Sequence, residues 1–272
     1  MPNFNYKDGR PIAKITGGKK DGKILYLDEA EDDDELKINF ECKAMNFLKK
    51  DIACIVSGKN DEIKITDGKF SPIPIIESKE TQRDVLYISG PAGSGKSHYA
   101  AEYITNFKKL YPKADFFLFS TKEEDPVLDK FKPKRIVIDE EILSEPINPK
   151  ELANSLVMFD DIDTIADSKL LKEIRRLRDA ILEIGRSMHI YCITTSHILT
   201  AGTSSKMQLL ESTAVTCFPK MGGIHHIKRF LKEYVGLSSK QIEKILALKS
   251  RWVTIYKRAP NYCLYQTGAF LL

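Results

Sequence analysis

No pair of cysteines here has CxxC spacing, no apolar run reaches the roughly 18 residues that span a bilayer, and the excess charge is small. The first absence removes any sequence signature of structural zinc. Of the five cysteines, Cys42 stands apart, while Cys54, Cys192, Cys217 and Cys263 lie within apolar runs, where a thiol behaves as a small hydrophobe. A reducing compartment follows. The second absence predicts a soluble chain, and Met1-Pro2-Asn3-Phe4-Asn5-Tyr6-Lys7 has no hydrophobic core of the secretory kind, so no secretion is expected. The third, a formal net charge of +4 over 272 residues, excludes wholesale coating by nucleic acid and leaves room only for local contact. What is present is an ordinary globular balance, 42% apolar and 29% charged, in a chain long enough for one large α/β domain with an appendage.

Residues 1–80 carry short β-type runs, Ile12 to Thr16, Lys23 to Leu27, Ile52 to Val56 and Glu62 to Thr66, separated by Gly-Gly, Asp-Gly and Lys-Asn turns. They predict a small strand-rich N-terminal module. Within it, Asp28 to Glu35 holds seven acids in eight residues, a solvated loop with no function assigned. Ser71-Pro72-Ile73-Pro74 cannot continue a central strand or a helix and is read as the link to the second unit, residues 81–272. There, strand and helix alternate as in a mostly parallel sheet flanked by helices. Strands are expected at Val85 to Ser89, Asp115 to Ser120, Arg135 to Ile138, Leu156 to Phe159, His189 to Thr195 and Ala214 to Phe218. Helices are expected at Lys96 to Tyr111, Ser168 to Ile184, Ile224 to Tyr234 and from Ser238, where Ser238 and Gln241 have capping-box spacing. Trp252 to Tyr256, Tyr262 to Tyr265 and Ala269 to Leu272 read as closing strands.

Gly90-Pro91-Ala92-Gly93-Ser94-Gly95-Lys96-Ser97 satisfies G-x-x-x-x-G-K-[ST] and stands between a hydrophobic strand and a helix, the context a phosphate-cradling loop requires. Its glycines let the backbone turn consecutive N–H groups, with the positive end of the helix, toward phosphates. Lys96 is the candidate for the β and γ phosphates, Ser97 for Mg²⁺, and His98 follows in the same segment. Leu156-Val157-Met158-Phe159-Asp160-Asp161, an apolar run ending in two carboxylates, has the form of a Walker B strand. Asp160 is expected to hold hydrated Mg²⁺ and Asp161 to polarise the attacking water, with Asp163 in reserve; the bland alternative is an Asp-Asp turn after a core strand. The next strand ends in Thr194-Thr195-Ser196-His197, where His197 is either a γ-phosphate sensor or a surface-loop histidine.

The order of Walker A, Walker B, a helix ending in Gly185-Arg186 and a strand with a polar tip resembles the FtsK/HerA superfamily of ring-forming, DNA-pumping ATPases. The tract from Ile184 to His197 is similar to that group's Gly-Arg segment and sensor strand, and in detail the chain looks most like the poxvirus-type genome-packaging ATPases of large nucleocytoplasmic DNA viruses. The resemblance covers residues 84–272. Asp161 stands where the superfamily usually has Glu, and His197 where it usually has Gln. It implies ATP as the nucleotide, a homo-oligomeric ring, double-stranded DNA in pore loops, and viral capsid or portal-like partners at host-cell assembly sites or in the virion. It also implies that Arg186 is an arginine finger serving a neighbouring subunit; the competing reading pairs it with Glu183.

The leading expectation is therefore an ATP-hydrolysing DNA translocase, with the segments 200–206 and 220–226 as candidate pore loops or simple connections. Two other classes stay open: a P-loop kinase of a small acceptor, and a nucleotide-dependent virion assembly protein. A kinase needs an arginine-rich lid, and the cluster Arg175, Arg176 and Arg178 has the spacing of a solvated helix face.

Overall fold

The computed structural model describes residues 2–28, 61–75 and 83–272. Part of the acidic run (residues 29–35), the expected strand Ile52 to Val56, Cys42 and Cys54 lie outside the described residues.

The first strands, β1 (Asn3–Asn5), β2 (Arg10–Thr16), β3 (Ile24–Asp28) and β5 (Lys69–Pro72), form an antiparallel sheet in the order β1-β3-β2-β5. Ser71 and Pro72, read from sequence as a link, finish β5 instead. The proline rule survives in its detail, because β5 is an edge strand where a missing N–H costs no ladder bond. The run from Glu62 shortens to β4 (Glu62–Lys64) and leaves the small sheet, pairing antiparallel with the last strand of the large one.

Among the described residues the large sheet has ten strands. Six are parallel: β6 (Val85–Ser89), β7 (Asp115–Ser120), β8 (Lys134–Val137), β9 (Ser155–Phe159), β10 (Tyr191–Ser196) and β11 (Ala214–Cys217), in the order β11-β6-β10-β9-β7-β8. Beyond β11 the antiparallel strands β12 (Val253–Tyr256), β13 (Tyr262–Tyr265) and β14 (Gly268–Leu271) extend it to β4. Every residue of β6, β9 and β10 is buried, as expected of parallel strands covered on both faces.

Alternation along β6 divides the cover. Leu86 and Ile88 pack with Tyr99, Ile104 and Phe107 of helix α1 (Lys96–Leu110) and, in the same core, with Ile12, Ile15, Leu25 and Phe70 of the small sheet. Val85 joins Val157, Phe159 and Cys192 beneath Ile174, Leu177 and Ile181 of α3 (Ser168–Ile184). Tyr87 joins Val215, Ile255 and Cys263 beneath α5 (Ile224–Glu233) and α6 (Ser239–Ala247). Both bonds of the Ser238/Gln241 capping box are present, and Asp167 caps α3 through Leu170 N at 2.8 Å. Two helices were not expected. The short α2 (Glu141–Ser144) follows β8, and α4 (Thr203–Glu211) takes over residues 203–206 of the segment read as a loop. Another correction concerns α3: Arg178, read onto a solvated face, is 2% exposed and pairs with Asp179, while Arg176 bonds Glu173 on the surface. No described helix is long and apolar enough to cross a membrane.

Just before β6, the buried Asp84 carboxylate accepts from Ile75 N (2.7 Å), Tyr103 Oη (2.9 Å) and Thr213 Oγ1 (3.3 Å). Burial pushes its pKa up against these bonds. The residue thus ties the N-terminal chain, α1 and β11 together at the edge of the sheet away from the glycine loop.

Candidate active site

The loop from Gly90 to Gly95 leaves the carboxyl end of β6 and enters α1, with Gly90 N donating to Ser196 O at 3.0 Å. Gly93 and Gly95 have φ of 73° and 109°, a region closed to most side chains, so the motif's glycines are required by conformation. No side chain caps the N-terminus of α1, which leaves its first N–H groups and the positive end of the dipole to a ligand. Ser94 is fully buried in this loop and its Oγ has no hydrogen-bond partner among the described residues. Pro91 and Gly95 are partly exposed, as is Ser97, whereas Ala92, Gly93 and His98 are exposed.

Lys96 is 7% exposed; its Nζ donates to Gly90 O at 3.0 Å and lies 3.3 Å from Asp161 Oδ1. The carboxylates come from the end of β9, and β10 lies between β9 and β6. That insertion assembles the site, since Thr195 of β10 reaches both acids. Asp161 N donates to Thr195 Oγ1 at 2.8 Å, and the hydroxyl stands 2.9 Å from Asp160 Oδ1 and 3.1 Å from Asp161 Oδ1. A hydroxyl has one proton, so it serves one carboxylate at a time. Asp160 is 3% exposed, and Lys122, from the segment after β7, holds its Oδ2 at 3.2 Å. Burial works against the Lys122 charge, but Asp160 and Asp161 outweigh it and raise the pKa. His197 Nε2 lies 3.2 Å from Asp161 Oδ2. Asp163, the reserve base, is occupied elsewhere: its Oδ2 accepts from Ser196 Oγ (2.8 Å) and His197 N (3.1 Å) and braces the tip of β10.

The expected residues Gly90 to Ser97, Asp160, Asp161 and His197 thus converge at one edge of the sheet. Arg186 does not. It precedes β10, whose six residues put about 20 Å between its two ends, and its charge is felt by Arg258 at the far edge. Its side chain is exposed and makes no ion pair with Glu183. The neighbouring Gly185 has a packing reason of its own. Arg83 donates to the carbonyls of Ile190 (2.5 Å), Ile181 (2.6 Å) and Leu182 (2.8 Å), and a Cβ on Gly185 would meet its guanidinium at 2.7 Å.

Sequence reading missed three residues at the site. Thr195 lay inside the strand tip assigned to His197, and its polarity at the end of an apolar strand was a usable signal. Lys122 could be placed only once β7 was known to flank β9. Arg251, whose guanidinium donates to Ser94 O (2.9 Å) and Gly93 O (3.1 Å), is 157 residues from Ser94 and carries no local signal.

The donor set suits Mg²⁺: one hydroxyl at the head of a helix, one buried carboxylate, and an uncapped cradle for phosphates beside them. Among the described residues no group of three or more His, Cys, Asp and Glu side chains could hold a metal by itself.

No family model matches the chain. Among solved structures it is similar to the genome packaging NTPase B204 from Sulfolobus turreted icosahedral virus 2 in complex with AMPPCP, at 14% identity and TM-score 0.45 over 65% of this chain and 93% of that one. It is also similar to the pCW3 conjugation coupling protein TcpA with ATPγS, at 12% identity and TM-score 0.46 over 95% of this chain and 77% of that one. In sequence it is 38% identical over 269 residues to the uncharacterized protein V3 of Sputnik virophage, covering 98% of this chain and 97% of the relative. A glycine loop between buried strand and helix, two acids on a nearby parallel strand, and this identity along nearly the whole of both chains lead to one conclusion: the protein is a P-loop chain that belongs to the family of virophage protein V3.

Proposed function

We propose that this protein is an FtsK/HerA-type ATPase that hydrolyses ATP to move double-stranded DNA, a viral genome-packaging motor working as a homo-oligomeric ring with capsid or portal-like components. The observation that carries the hydrolytic part is the Lys96–Asp161–Thr195–Asp160 constellation beside the uncapped N-terminus of α1. Ser97 and Asp160 would hold Mg²⁺, which when bound would supply charge neutralisation at the phosphoryl oxygens. Lys96 exchanges Asp161 for phosphate oxygens and thereby releases that carboxylate. Asp161 then accepts a proton from the water whose oxygen attacks the γ-phosphorus as the bond to the β-phosphate oxygen breaks. Thr195 keeps its proton and turns its single O–H bond from one acid to the other as their charge changes, and His197 orients Asp161 from the other side.

The polymer part rests on the motif order and on the resemblance of Ile184 to His197. A basic stretch that follows β11 supports it: residues 218–232 contain Lys220, Lys228, Arg229 and Lys232, two histidines and no acid, with Arg229 paired to the next residue, Glu233. Of the cluster Arg175, Arg176 and Arg178, two members are engaged by Glu173 and Asp179, which weighs against the kinase reading. The test is ATP turnover by purified protein with and without double-stranded DNA. Turnover should rise with DNA and fall by on the order of a hundredfold or more in Lys96→Ala, which removes a preorganised cation from the phosphate cradle. Turnover indifferent to DNA, with phosphate transferred to a nucleoside, would replace the motor by a kinase.

A further inference from the structure

We infer that Arg251 is a positioning residue of the nucleotide site, contributed by the C-terminal strands, which locks the phosphate loop in its binding conformation. The inference rests on the reading of Gly90 to Ser97 as a phosphate cradle. A peptide unit is planar and trans, so its C=O and N–H point in opposite directions. Arg251 Nε holds Ser94 O at 2.9 Å and its second guanidinium nitrogen holds Gly93 O at 3.1 Å. Pinning these two carbonyls on the outside of the loop fixes two successive peptide planes and turns the N–H groups of Ser94 and Gly95 the other way. The Ser94 N–H closes the turn on Pro91 O at 3.1 Å, and by the same planarity the Gly95 N–H is turned away from Arg251. Gly95 lies against the same guanidinium, where a Cβ would stand 3.3 Å from Nε. A planar fork with several fixed donors suits this task, and a lysine can satisfy only part of it.

The base of Arg251 is itself rigid. Its backbone N donates to Gln266 Oε1 at 2.7 Å, and Gln266 N donates to Ser250 Oγ at 3.1 Å. The next residue, Trp252, packs edge-to-face on Tyr99 of α1, with ring centroids 4.9 Å apart. The backbone that carries the guanidinium is thus anchored before any ligand arrives, which lowers the entropy lost on ordering the loop. Gln266 O also accepts from Phe70 N of β5 at 2.7 Å, so one residue joins the small sheet to this support.

The test measures binding of fluorescent ATP and ADP analogues, steady-state kinetics and the melting temperature without nucleotide, for wild type, Arg251→Ala and Arg251→Lys. Arg251→Ala should raise Kd for both nucleotides and KM by about tenfold or more, because it frees two charge-assisted hydrogen bonds. Its kcat at saturating ATP should stay within about threefold of wild type, since the guanidinium contacts backbone and not the reacting atoms. Arg251→Lys should recover part of the affinity. Unchanged Kd in Arg251→Ala, or a fall in kcat with KM unchanged, overturns the inference. An affinity loss matched by a drop in the nucleotide-free melting temperature, and not relieved in Arg251→Lys, does so too by showing a purely structural role. Failure of wild type itself to bind either nucleotide would overturn the phosphate-cradle reading, and this inference with it, which separates the two failures.

Discussion

Asp160 and Asp161 share Thr195 yet are unequal, although they are adjacent in sequence. Asp160 is buried and divided between Thr195 and Lys122, whereas Asp161, in a left-handed backbone conformation with φ of 46°, faces Lys96 and His197. That φ is uncommon outside glycine, Asn and Asp, and it turns Asp161 away from the direction the strand would otherwise have given it. The two acids should therefore fail differently. Asp160→Asn should weaken Mg²⁺-dependent nucleotide binding. Asp161→Asn should bind normally and lose hydrolysis by about 10² to 10⁴, the usual worth of a positioned general base. Equilibrium binding with and without Mg²⁺, beside single-turnover hydrolysis, separates the outcomes. Normal turnover in Asp161→Asn would remove it as the base and leave Asp163 to be tested, despite its engagement with Ser196 and His197.

At the scale of elements, the end of α3 shows why a motif residue can have two reasons to exist. Gly185 belongs to the tract that resembles the FtsK/HerA family, and its φ of −63° is open to any residue, so conformation does not demand glycine. Packing does. Arg83 runs across this helix end to satisfy the carbonyls of Ile181 and Leu182, and a methyl at Gly185 would press on the Ile181 carbonyl oxygen and on that guanidinium. Gly185→Ala should destabilise the fold by about 1–3 kcal/mol, the cost of overpacking a filled site. Chemical denaturation reads this directly, and a change below about 0.5 kcal/mol, the range of an ordinary surface substitution, would show that the guanidinium yields freely. Most elements were legible because their periodicity is local: β6, β7, α3 and the α6 cap lie where pattern and capping signals put them. The exceptions follow a common cause. Residues 203–206 of α4 read as loop from Gly, Thr and Ser composition, and tertiary packing of Leu209 beneath Tyr87 and Leu199 overrides that propensity.

For the whole molecule, the separation of Arg186 from the glycine loop decides how an arginine finger can act. Lying at the opposite end of the sheet, it cannot serve its own P-loop without a large rearrangement, so the proposed role requires a second subunit. Mixing two inactive variants, Lys96→Ala and Arg186→Ala, should then restore part of the ATPase activity, because an intact finger meets an intact loop across an interface. Fingers contribute about 10³ to 10⁵ in rate, so even a small fraction of productive interfaces is measurable. Absence of recovery in a sample shown by native mass spectrometry to contain mixed oligomers would return Arg186 to a structural role.

The sequence by itself determined the phosphate loop, the acid pair at the end of β9, the alternation of strand and helix, and the capping of α6, all of which depend on residues within a few positions of one another. Strand order, and everything that hangs on it, was decided only by tertiary structure. Placing β10 between β6 and β9 brings Thr195 to both acids, and placing β7 beyond β9 brings Lys122 to Asp160. Antiparallel closure through β12 and β13 carries Arg251 to the back of the glycine loop, and pairing of β4 with β14 draws a strand of the N-terminal segment into the large sheet. Such contacts join residues tens to hundreds of positions apart, and the burial of whole strand faces that selects them leaves no periodic mark at the polar residues they bring together.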